Sequence, residues 1–348
     1  MASSRKVATN ENISTYGAGG FGRDFTVLST WEAASDLDLI SAAQSEVLEL
    51  YDDAASFDDF VKVSGATANS TYFRIIRPAG VKGQASWQGH DGTPNNGVYI
   101  HSTGDDIVFD SDEDNYQLQD LIIGYTRADQ NNFSLRMEDP GTFQAAVGVI
   151  QHHADGGLSA GRGMMLAGED NFFINCLVQD TDRFGYDPRP GSGLFVYLYN
   201  CCAINNGQDG FLSSNSDGTA NIVLKNCLAY GNGGEDFETG GEFDETNSTN
   251  NASEDATAPG VNERINQTFT FRNAGSDDWH LDINDAGARD FGADLSADGD
   301  YAFDDDIDFR TRIAAWTWDI GFDEYFSPYP IMSDREPDAL VFGNRIVR

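Results

Sequence analysis

The chain is short of lysine, of cysteine and of any long apolar run. Of its 348 residues four are lysine (Lys6, Lys62, Lys82, Lys225) and seventeen arginine, against 57 Asp and Glu, for a formal net charge of −36. This balance argues against a nucleic-acid partner, because such binders need a basic face to displace counterions from phosphate. No uninterrupted apolar stretch approaches the ~18 residues of a spanning helix, so membrane insertion is not expected. The start, Met1-Ala-Ser-Ser-Arg-Lys6, has a basic pair with no apolar segment behind it and does not read as a secretory signal. Four cysteines, at 176, 201, 202 and 227, are too few and too local for a secreted disulfide scaffold. The acidic surplus repels itself in dilute buffer. At ~1 M salt the screening length falls to about 3 Å and that repulsion largely disappears. The composition therefore fits a halophilic or marine setting as well as a plain acidic surface.

Apolar residues make up 40% and aromatics 12%, enough for a sizeable core, and there are 37 glycines. With Asn and Asp also frequent, the composition reads as all-β with many turns. Residues 1–24 read as a polar, Gly-rich N-terminal arm. Ser29-Thr-Trp31-Glu32 fits a capping box, and Trp31, Ala34, Leu37 and Ile40 recur at helical spacing, predicting a helix over 30–44. Short β-prone runs follow at 47–51, 60–63 and 72–76. Residues 238–264 are polar and read as a loop excursion. Residues 326–348 form a locally basic tail carrying Arg335, Arg345 and Arg348.

The middle of the chain carries a repeat aligned on Asn-Cys: Asn175-Cys176, Asn200-Cys201 and Asn226-Cys227, with Asn positions 25 and 26 apart. Leu118-Gln-Asp120-Leu-Ile-Ile123 is a weaker copy, with Val147-Gly-Val-Ile150 between. A period of 20–50 residues is the mark of stacked architecture. Without a helical period, the unit is a coil of short strands, which places matching residues above one another at ~4.8 Å. Asn175, Asn200 and Asn226 are then expected to form a ladder at one corner. Cys176, Cys201 and Cys227 would stack inward beneath it as small buried hydrophobes. A 201–227 disulfide fits in distance but not in direction.

With its N-C-x-A and D-G-F-like elements, this coil resembles the right-handed parallel β-helix family, of pectate-lyase-like type. The segment Thr268-Phe-Thr-Phe271…Asp278-Trp-His-Leu281…Asp285-Ala-Gly-Ala-Arg289…Asp319-Ile-Gly-Phe-Asp-Glu-Tyr325 is similar to that family's C-terminal ending. The resemblance covers 25–325. It implies an all-β, single-stranded right-handed parallel β-helix, with the helix at 30–44 capping a sheet edge and apolar cross-section that would otherwise be exposed.

Enzymes of this architecture use carboxylate pairs, or Ca²⁺ with a basic residue. The candidates here are Asp180 and Asp182 beside Arg183, with Asp209 and Asp236 at equivalent places in successive coils. The competing reading for Asp209 and Asp236 is an Asx turn, in which the carboxylate bonds local backbone. His152-His153-Ala-Asp155 is the densest histidine cluster, but adjacent strand residues face opposite sides. His90 reads as a turn residue and His280 as packing. The best cation candidate is Asp298, Asp300, Asp304 and Asp306, several carboxylates near a Gly turn that suit Ca²⁺; the alternative is a solvated acidic surface and no cofactor. The ending also resembles β-helix structural proteins of tailed viruses. This implies a virion surface component (decoration, turret, fibre or spike) synthesised in a host cytoplasm. Its expected partners are its own copies in a trimer or pentamer, other virion proteins, and a host-surface glycan or surface layer. The alternative is a carbohydrate-active β-helix, a polysaccharide lyase or hydrolase of tailspike type.

Overall fold

The computed structural model describes residues 5–94, 96–104, 106–125, 133–138, 143–152, 161–213, 221–240 and 242–326. The chain winds through three parallel sheets in turn, so each strand pairs with strands one coil before and after it. This is a parallel β-helix. The first face runs in the order Glu11–Tyr16, Ser45–Leu50, Arg74–Pro78, Tyr116–Gln119, Gln144–Val147, Asn171–Ile174, Val196–Tyr199 and Ile222–Lys225. The second carries Phe57–Asp58, Tyr99–Ser102, Ile122–Tyr125, Ile150–Gln151, Leu177–Gln179, Cys202–Ile204, Leu228–Tyr230 and Ala252–Ser253. The third is shorter: Val61–Val63, Phe109–Ser111, Phe133–Met137, Arg162–Gly168 and Tyr186–Pro190.

Register builds the core. On the first face Leu118, Ala146, Phe173, Leu198 and Leu224 follow one another. All point into a single interior with Leu135, Met164 and Tyr186 from the third face and Ile123, Val178 and Ala203 from the second. Tyr186, Phe211 and Phe237 continue the third face inward as stacked rings, 4.9 and 4.7 Å between centroids and within 11° of parallel. These distances are the inter-strand repeat itself, so flat rings stack without adjustment.

The N-terminal helix is two short pieces, Leu28–Ser35 and Leu39–Ala42, in place of the single helix predicted over 30–44. Ser29 lies inside the first piece, and the capping box does not form. Asp59 accepts from Leu28 N at 2.8 Å and so caps that helix from a neighbouring loop. Glu32 instead accepts from Ser64 N and faces the buried Arg74. Leu28 and Trp31 pack into the interior and close that end. The arm also differs from its reading, because Glu11–Tyr16 is the first strand of the first face. Residues 242–264 are a further coil: Phe243 bridges Ile222, Thr249 bridges Lys225, and Ala252–Ser253 joins the second face. Residues 327–348 lie outside the described residues.

Beyond the last coil the chain turns back along the outside. Phe269, Trp279, Leu281, Ile307, Ile320 and Phe322 cover the outer side of the second face, over Ile122, Ile150, Leu177, Ile204 and Leu228. Leu295, Tyr301, Phe303 and Trp318 cover the first face, over Val147, Phe172, Ile174, Tyr197, Tyr199 and Val223. Both faces are thus buried on two sides, which is why their strands read as near-continuous apolar runs.

Candidate functional site

The corner between the first and second faces organises the molecule. Its residues Asp120, Gly148, Asn175, Asn200, Asn226 and Asn250 all have φ between 52° and 64°. Asn and Asp tolerate this left-handed bend and Gly adopts it freely. The asparagines stand in one column. Asn226 Nδ2 donates to Asn200 Oδ1 and Asn200 Nδ2 to Asn175 Oδ1, both at 3.1 Å. The amides therefore bond each other, as the expected ladder. The column's ends are satisfied by the returning chain: Asn175 Nδ2 donates to Asp305 O, and Asn226 exchanges bonds with Ala293. Cys176, Cys201 and Cys227 lie beneath, fully buried and unlinked. Burial pushes the Cys176 and Cys201 thiols well above their usual range, which makes them poor nucleophiles.

At Gly148 the column breaks. A β-carbon there would come 2.2 Å from Asp120 Oδ1 and 2.7 Å from Arg5 Nη2. Glycine leaves the space in which Arg5 grips Asp120 through Nε and Nη2 and reaches Asp305 through Nη1 at 2.8 Å. One buried guanidinium thus joins the N-terminal segment, the coil and the C-terminal segment. His90 supports the same corner: its Nε2 donates to Gly148 O at 2.5 Å and its Nδ1 accepts from Gly92 N. Burial pushes this imidazole down to about 3, so it is neutral.

The enzymatic candidates lie at bends of successive coils. Asp180 occupies a second left-handed corner, φ 55°, at the position equivalent to Asn205 and Gly231 in the next coils. Asp182 and Arg183 follow it, partly buried, with Arg183 over the Phe184 ring. Asp209 accepts from Glu235 N at 2.7 Å. Asp236 accepts from the backbone of Glu254 and Asp255 and from Asn232 Nδ2. These are bonds to turn backbone, and burial raises the Asp236 carboxyl. His152 bonds Gln179, whereas His153 and Asp155 lie outside the described residues.

The cation candidates do not converge. Asp298 and Asp300 face Lys225, at 2.6 and 3.6 Å. Asp306 accepts from the backbone of Asp308 and Arg310, while Arg312 N donates to the backbone carbonyl of Asp304. Two other groups place three ligand-type atoms within 4.8 Å among the described residues: Asp110–Asp112–Glu138 and His280–Asp308–Asp323. The first is already matched by cations, since Arg136 pairs with Asp110 and Glu138, and Lys62 with Asp112.

Among the described residues, clefts open on the exterior at two of the places where segments meet. One, of about 600 Å³, lies where the N-terminal segment, the first face and the returning chain meet. Its walls are Phe143, Phe172, Tyr197 and Tyr301, with Lys6, Asp170 and Asp300 at its edge. Phe172 and Tyr197 stack at 4.6 Å, and Phe143 and Tyr301 at 5.9 Å. Lys6 sits 3.2 Å over the Phe143 ring, and burial pushes its ammonium down to about 8. Phe143 has φ 60°, an expensive conformation for an aromatic residue. The other cleft, about 630 Å³, lies on the third face between Glu138, Met165, Arg189 and Leu194. Around it runs a charged ladder, with Arg162 and Arg189 both on Asp187 at 2.8 and 2.6 Å. The sequence reading found neither cleft, because each is assembled from segments far apart in the chain. Comparison with family models, with curated proteins and with solved structures finds no match to this chain.

Proposed function

We propose that this protein is a virion structural protein exposed on the particle surface, and that it contacts a host-surface glycan. The observation that carries the reading is the aromatic cleft. The stacked rings line the cleft with apolar surface for the C–H side of a sugar, and Asp170, Asp300 and Lys6 supply acceptors and a donor for its hydroxyls. The cleft sits on the coil stack, and its strained Phe143 fits a contact position. The turn bonds of Asp209 and Asp236 favour binding over cleavage. A trimer or pentamer, assembled with other virion proteins, would multiply weak glycan contacts.

Two measurements test this. Mass spectrometry of purified particles should recover the chain, and its absence there would remove the virion reading. Binding to host-surface polysaccharide, followed by saturation-transfer NMR, should weaken at least about tenfold, or ~1.4 kcal/mol, in Phe143→Ala and Asp300→Ala. Cleavage of that polysaccharide, lost in Asp180→Ala or Asp209→Ala, would replace attachment with the lyase or hydrolase alternative.

A further inference from the structure

We propose that His280, Asp308 and Asp323 form a binding site for a divalent transition cation of the Zn²⁺ class, and that it locks the returning C-terminal segment against the coil. Three pieces of that segment meet here: the hairpin strand Asp278–Leu281, the loop bearing Asp308, and the closing stretch bearing Asp323. Their ligand atoms lie within 4.8 Å of one another. His280 Nε2 stands 3.5 Å from Asp308 Oδ2. Metal–ligand bonds of about 2.0–2.2 Å put neighbouring ligand atoms roughly 3–4 Å apart, so this spacing needs little adjustment.

Two of the three ligand atoms are buried and have no hydrogen-bond partner, namely His280 Nε2 and Asp323 Oδ1. Both residues are 2% exposed. Buried polar atoms are rarely left in this state. The rest of each side chain is held so that the unpartnered atom faces the same spot. Asp278 Oδ1 lies 2.6 Å from His280 Nδ1 and accepts its hydrogen bond; against the desolvation of burial, Asp278 and Asp308 hold the imidazole up at about 10, so a cation binding at Nε2 displaces the proton there. That is the carboxylate–histidine–metal arrangement of protein metal sites. Leu281 N donates to Asp323 Oδ2 at 3.0 Å, leaving Oδ1 without a hydrogen bond, its nearest cation Arg310 Nη1 at 3.9 Å. Gly92 keeps the approach clear, because a β-carbon there would come 2.3 Å from Nε2 and 3.1 Å from Asp308 Oδ1. Asp308 is shared with Arg310 at 3.0 Å and Lys82 at 3.4 Å. A divalent cation that displaces the imidazole proton leaves Asp278, Asp308 and Asp323 to balance it together with Arg310 and Lys82. One imidazole with two carboxylates suits Zn²⁺ better than the all-oxygen preference of Ca²⁺.

The test uses the full chain, stripped with chelator and titrated with ZnCl₂ by calorimetry, with Co²⁺ as the spectroscopic probe. One equivalent should bind, raise the thermal midpoint and give Co²⁺ visible bands. Affinity should fall at least about tenfold in Asp323→Asn and His280→Gln, and about 10- to 100-fold in Asp278→Asn, whose side chain only orients the imidazole. Asp110→Asn/Asp112→Asn should leave it unchanged. X-ray absorption of the zinc-loaded wild type decides the matter even if the His280 variant does not fold: a shell of one imidazole and oxygens supports the site. Binding of well under one equivalent, a shell with thiolate or several imidazoles, preference for Ca²⁺, or full affinity in Asp323→Asn would each overturn it.

Discussion

Each corner asparagine does two jobs that separate substitutions can distinguish. Asn200 holds φ at 53° and links the amides of Asn175 and Asn226. Alanine loses both: it leaves buried neighbours unpaired, at about 1–3 kcal/mol, and strains the backbone by a further ~1–2 kcal/mol. Glycine loses only the amide. Asn200→Ala should therefore lower stability by about 2–5 kcal/mol in denaturant unfolding, and Asn200→Gly by distinctly less; equal losses would show that the left-handed bend carries no cost. This column was legible because Asn-Cys recurs at a fixed period. Its continuation through Asp120 and Gly148 was legible only as spacing. The reason for those residue types lies in Arg5, more than a hundred residues away.

Among the elements, the closing stretch Asp319–Tyr325 is where pH should act. Asp319 accepts from Asp290 N and Tyr325 N, both at 2.6 Å, and burial together with the Glu324 carboxyl pushes it up to about 8. An acid that holds its proton more tightly when folded stabilises the fold fully below the unfolded carboxylate range near 4. That contribution is lost as pH rises through the folded value. Between pH 5 and 8 the wild-type unfolding midpoint should thus fall more steeply than that of Asp319→Asn, whose amide does not titrate; parallel curves would refute the assignment. The closing motif was visible in the sequence, but its burial was not. The capping helix shows a similar gap. Ser29 and Glu32 have the right spacing for a capping box, yet Asp59 from the neighbouring loop takes the cap and Glu32 turns to Ser64 and Arg74. A long-range carboxylate outcompetes a local one when the fold holds it in place.

For the whole molecule the dominant field is the net charge of −36. Raising NaCl from ~0.1 to ~1 M shortens the screening length from about 10 to 3 Å, so the unfolding midpoint should rise if self-repulsion limits stability. A midpoint that is flat or falls with salt would favour the plain acidic-surface reading. The coil itself was determined by the sequence, because a 25–26-residue period with Gly, Asn and Asp at the bends is a local code: each rung repeats the last at the inter-strand distance. What covers the coil was decided by tertiary structure. The strands Asn171–Ile174 and Val196–Tyr199 are apolar on both sides, a signal that something must lie over them. That the partner is the chain's own C-terminal segment, fastened through Arg5 and Asp305, follows from packing among residues up to 300 apart. Tyr301 joins the aromatic cleft, and Asp308 and Asp323 join His280, only through that same return.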